Sequence, residues 1–107
     1  MNQEVIFFAE GRNSPKNKVI LVNETIGRVL RRLGAIVINR SYLLSEGFPT
    51  EAYSYYKFPE LGIVTTFLKF NTRECTLSVN FSGFEGKIES YNNLKMLIEA
   101  TLKKFLY

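Results

Sequence analysis

The stretch at residues 74–107 constrains the fold more than any other. Cys75, Leu77, Val79 and Phe81 alternate with Thr76, Ser78, Asn80 and Ser82, which predicts a strand over 74–82 with one buried face. Turn formers follow at Gly83 and Gly86. Ser90 then suits the cap of a helix in which Leu94, Leu97, Ile98, Leu102 and Phe105 recur at the three-and-four spacing of one apolar face. A half-buried strand feeding an amphipathic helix needs more sheet and a second helix to complete a core. A chain of 107 residues can supply both without disulfides or metal.

Residues 5–9 and 18–22 are short apolar runs around a turn-rich separator with Gly11, Asn13, Ser14 and Pro15, so a hairpin with a long tip is expected. Arg12, Lys16 and Lys18 make that tip basic: a solvated loop in the plainer reading, a finger touching a partner in the functional one. Asn23 is read as the N-cap of a helix over 24–33, closed by Gly34. At about 100° per residue, Ile26, Val29, Leu30 and Leu33 share one side of it, while Arg28, Arg31 and Arg32 share the other with Glu24, which can pair with Arg28. Gly27 weakens this helix and leaves room for another element.

Residues 35–39 read as a strand. With 18–22 and the helix they have the length of a small βαβ crossover, though an antiparallel arrangement is also open. Over 40–51 the pattern lapses into an irregular connection pinned by Tyr42, Leu43, Leu44 and Phe48. Strands at 52–58, a type I turn at Pro59 to Gly62, a central strand at 63–70 and the strand at 74–82 form an antiparallel meander. The expected architecture is a single α+β domain over 1–107. It has a mixed, mostly antiparallel sheet, the three-strand meander being extended by N-terminal strands, and two amphipathic helices on one face.

Composition narrows function mainly by subtraction. The chain has no histidine, and its ten acidic residues are all glutamates. Most hydrolase and metal sites therefore lack their usual general base, orienting acid or ligands, and no enzyme, cofactor or metal is expected. Glu85 and Glu89 are the only close carboxylate pair outside the expected helices, and nothing sets them across a cleft. The lone Cys75 falls on a buried strand face and reads as a small hydrophobe. With no disulfide possible, no secretory n-region at the start and no apolar run of about 20 residues, a soluble cytoplasmic protein is expected.

Two features carry a functional reading. The net charge of +4 is concentrated in Arg28, Arg31 and Arg32, with Arg12, Lys16, Lys18 and Arg40 as candidate neighbours. Arginine forks grip carboxylate or phosphate, so this face suits an acidic protein patch or a nucleic-acid backbone; the plainer reading is a solubilising helix face. The second feature is the aromatic strand. Alternation sets Tyr53, Tyr55 and Lys57 on one face and Ser54, Tyr56 and Phe58 on the other. If exposed, the first face is a contact surface or stacking platform. If buried, which is the commoner fate of such strands, it is core.

Phe84, between Gly83 and Gly86, either inserts into a partner or folds back on the sheet. The expectation is a small non-enzymatic binding protein (inhibitor, immunity-type factor or adaptor) with Arg28, Arg31, Arg32, Arg12, Lys16, Tyr53, Tyr55 and Lys57 as its partner-binding residues. The alternative is a nucleic-acid binder without sequence preference. Pairing with a second copy through a sheet edge or helix face is a further option.

Overall fold

A computed structural model describes residues 2–10, 18–45, 47–70 and 74–106. In chain order the elements are β1 (Asn2–Glu10), α1 (Lys18–Arg32), β2 (Ile36–Ser45), β3 (Phe48–Phe58), β4 (Gly62–Phe70), β5 (Glu74–Gly83) and α2 (Ile88–Leu106). The strands form one sheet in the order β1-β5-β4-β3-β2, with every neighbouring pair antiparallel. Both helices pack on the same face, giving an α+β fold of two layers. Among the described residues no helix is long and apolar enough to cross a membrane.

The meander stands as expected, with β4 at the centre of the sheet. The N-terminal half differs. Residues 18–22 are the opening turns of α1, so neither the hairpin with 5–9 nor a parallel βαβ unit forms; β1 pairs instead with β5. Val19, Val22, Ile26 and Leu30 are all buried, and their three-and-four spacing continues the apolar stripe of α1 backward through a β-branched run that also fits a strand. Asn23 is therefore not a cap: it is fully buried inside the helix, where its amide reaches Ser54 and Tyr42. Gly34 does end α1. Its φ of 105° lets Gly34 N–H reach the Arg31 carbonyl and Ala35 N–H the Leu30 carbonyl, a Schellman closure.

Within the expected irregular connection at 40–51, residues 40–45 and 48–51 are strand, belonging to β2 and β3. Register shifts at Val37/Asn39 and Leu43/Leu44 break the two-residue period of β2 and hide it from pattern reading. Between β3 and β4 the turn bond runs from Leu61 N–H to the Phe58 carbonyl, and Glu60, its third residue, has a φ of 67°. That is the sign a type II turn requires there, in place of the expected type I. At the other end Phe84 folds back, packing edge-on against Phe58 and Phe81. Helix α2 begins ahead of Ser90: the Lys87 carbonyl already accepts from Tyr91 N–H. Tyr91, Leu94, Ile98 and Leu102 make its buried stripe, whereas Leu97, assigned to that stripe above, is 40% exposed and Met96 68%.

Candidate functional site: an open sheet face and a basic helix ridge

With both helices on one side of the sheet, the alternate residues of every strand remain on an uncovered face. In β3, Ala52, Ser54, Tyr56 and Phe58 are buried beneath the helices, while Tyr53, Tyr55 and Lys57 are exposed on the opposite face. The tyrosines are 42% and 36% exposed, so this half of the aromatic strand is surface. Strand register then fixes their neighbours. Tyr53 lies between Ser41 and Phe67, and Tyr55 between Asn39 and Thr65; Ser78 and Asn80 follow on β5.

The rings of Tyr53 and Phe67 stack with centroids 4.3 Å apart and planes 16° from parallel. Around them lies a shallow depression of about 350 Å³ lined by these two rings, Tyr55, Asn39, Thr65, Ser78 and Asn80. The charges on this face are of both signs: Lys69 pairs with Glu51 at 3.8 Å, Lys57 is exposed, and the Glu4 carboxylate accepts from Ser78 Oγ at 2.8 Å. An aromatic centre ringed by hydroxyls and amides can bury apolar area and still satisfy a partner's polar groups.

On the helix side, burial of Val19, Val22, Ile26 and Leu30 turns Arg28, Arg31 and Arg32 outward, and all three are exposed. Among the described residues Glu24 and Arg28 form no ion pair. Arg31 Nε donates to the Gly27 carbonyl at 3.4 Å. Gly27 also leaves the room anticipated for it: a Cβ there would stand 2.8 Å from Arg40 Nη2 and 3.0 Å from the Tyr56 hydroxyl. Arg40, on the helix-facing side of β2, thus joins the basic ridge at Gly27.

The partner-binding residues expected from sequence therefore do not form one site. The arginines lie on the helix layer, and Tyr53, Tyr55 and Lys57 on the far side of the sheet. Arg12 and Lys16 lie outside the described residues. Phe67 and the hydroxyl and amide rim were missed, because β4 reads as apolar on both faces; the turn at 59–61 held the signal, since it puts Tyr53 opposite Phe67. Among the described residues no three His, Cys, Asp or Glu side chains gather to hold a metal ion. No protein family, no curated protein and no solved structure matches this chain.

Proposed function

We propose that this chain is a small non-enzymatic binding protein, of the inhibitor, immunity-type or adaptor kind, that acts by occupying a surface of a protein partner with its open sheet face. The observation that carries the reading is the stacked Tyr53–Phe67 pair, left uncovered on a sheet whose other face is fully used by the core. Flat aromatic area at low conformational cost, beside hydroxyl and amide side chains, is the composition of an interface centre. The near balance of charge across this face favours a protein over a phosphate backbone, which requires uncompensated cations where it binds.

A second reading, a nucleic-acid binder without sequence preference, is favoured by Arg28, Arg31 and Arg32 standing exposed together on α1. It loses the tyrosine stacking platform, because the sheet separates the rings from the arginines.

Affinity capture from the source cell with three forms of the protein tests both: wild type, a Tyr53→Ser/Phe67→Ser variant, and an Arg28→Glu/Arg31→Glu/Arg32→Glu variant. The proposal expects a protein held by wild type and by the arginine variant and lost from the ring variant. Capture of nucleic acid that declines steeply with salt and is lost only from the arginine variant establishes the second reading instead.

A further inference from the structure

Strand β2 closes the sheet at one end, so one of its two rows of backbone N–H and C=O groups has no strand beside it among the described residues. Edges of this length are usually blunted by charge, proline or cover. β2 spans ten residues and its single charge is Arg40. Its Ile36, Ile38, Leu43 and Leu44 are each half exposed or more. The register shifts on either side leave residues 39–43 as a regular stretch, with Asn39, Ser41 and Leu43 toward the open face and Arg40 and Tyr42 toward α1.

Arg40 is half-buried against the helix, and its Nε is shut off from water without a hydrogen-bond partner. The Tyr56 hydroxyl, beside the same Gly27 gap on a fully buried residue, is also unpartnered. The guanidinium of Arg31 is anchored on the carbonyl of that glycine. Among the described residues no carboxylate pairs with any of these groups. A half-buried guanidinium without a counter-ion is costly unless an anion completes it, and its planar fork suits a carboxylate.

We propose that the β2 edge is a docking site for an extended acidic segment of a protein partner, which adds as a sixth strand and sets a glutamate or aspartate carboxylate on Arg40. Backbone bonds to residues 39–43 supply affinity, and alternation supplies specificity. The acid points toward α1, and its flanking residues point toward the open face beside Asn39 and Ser41. The other sheet edge does not offer this, because β1 contains no Lys or Arg to receive a carboxylate. The proposal names a partner chemistry for the binding function above and rests on that reading, but it uses a different surface, so the two can fail separately.

The test is fluorescence anisotropy with a short labelled peptide that alternates valine and threonine around one central glutamate. Companion peptides carry glutamine or lysine at the centre. The wild-type protein is expected to bind the glutamate peptide, with affinity about tenfold weaker for the glutamine form and lower again for lysine, as loss of a charge-assisted contact implies. Arg40→Gln should erase the preference, and the Tyr53→Ser/Phe67→Ser variant should keep it. Amide hydrogen exchange is expected to slow in β2 and not in β1 when the peptide is bound. Equal binding of all three peptides, no binding at all, or protection confined to β1 overturns the proposal. So does a preference lost from the ring variant and kept by Arg40→Gln, which moves the peptide to the open face. Should Arg40→Gln not fold, Arg40→Lys and the peptide series with the exchange map decide the matter.

Discussion

Asn23 and Ser54 join α1 to β3 through a buried pair of hydrogen bonds, and breaking them one side at a time should reveal a coupling that side-chain size does not explain. Asn23 Nδ2 donates to Ser54 Oγ at 3.1 Å, Ser54 Oγ lies 3.3 Å from Asn23 Oδ1 as its donor, and Nδ2 also reaches the Tyr42 hydroxyl at 3.3 Å. Ser54→Ala leaves the buried Asn23 carbonyl oxygen without its donor, at a cost of about 2 kcal/mol. Asn23→Ala strands the Ser54 hydroxyl and opens space beneath the helix, costing about 3 kcal/mol. The double replacement removes donor and acceptor together and should cost about 3 kcal/mol, well short of the sum, giving a coupling of roughly 2 kcal/mol. For a domain of this size 2 kcal/mol lowers the thermal midpoint by roughly 9 °C. Urea titrations of the four proteins, followed by circular dichroism at fixed pH, measure the cycle. Additivity within about 0.5 kcal/mol, or a neutral Ser54→Ala, would refute the assignment of Asn23 as a buried bridge.

Other perturbations address the remaining parts of the account. Phe84→Ala removes a ring held by Phe58 and Phe81 and should cost about 3–5 kcal/mol in chemical denaturation. A stable Phe84→Ala variant would mean the ring is dispensable to the core. The Tyr53→Ser/Phe67→Ser variant should lose about 2–3 kcal/mol of folding stability, the stack plus the area buried by the half-buried Phe67, and stay folded while losing partner capture. Gly27→Ala should not show the gain of about 1 kcal/mol that alanine normally brings to a helix, because its Cβ would meet Arg40 and Tyr56. Made together with Arg40→Ala, the same substitution should recover only part of that gain in thermal melts, because the Tyr56 hydroxyl still lies 3.0 Å from the added Cβ.

Much of the architecture is legible where one periodicity rules alone. β5 and the turn after it announce themselves through strict alternation and paired glycines, and the central place of β4 follows from apolar residues on both its faces. Legibility fails where two periods fit the same letters. Val19, Ile20, Leu21 and Val22 satisfy a strand as readily as a helix, and only the buried stripe running on to Ile26 and Leu30 decides between them. In β2 the register shifts disturb the two-residue period, so only its start reads as strand and residues 40–45 read as irregular chain. The functional residues divide in the same way. Tyr53 and Tyr55 could be placed on one face from sequence, but not on the outer one, because which face the helices cover is a property of the assembled core. Arg40 reads from sequence as a candidate neighbour of the helix arginines, but its approach to Gly27 joins residues from two elements and needs the fold.

Site-specific photo-crosslinking locates the surface on which the partner sits. A photoreactive phenylalanine analogue is placed in turn at position 55 and position 65 on the open sheet face, and at position 99 on the outer side of α2, and each protein is irradiated in the source cell. The account predicts one and the same protein adduct from positions 55 and 65, and none from position 99. Adducts only from position 99, or adducts to nucleic acid from the sheet positions, would contradict it.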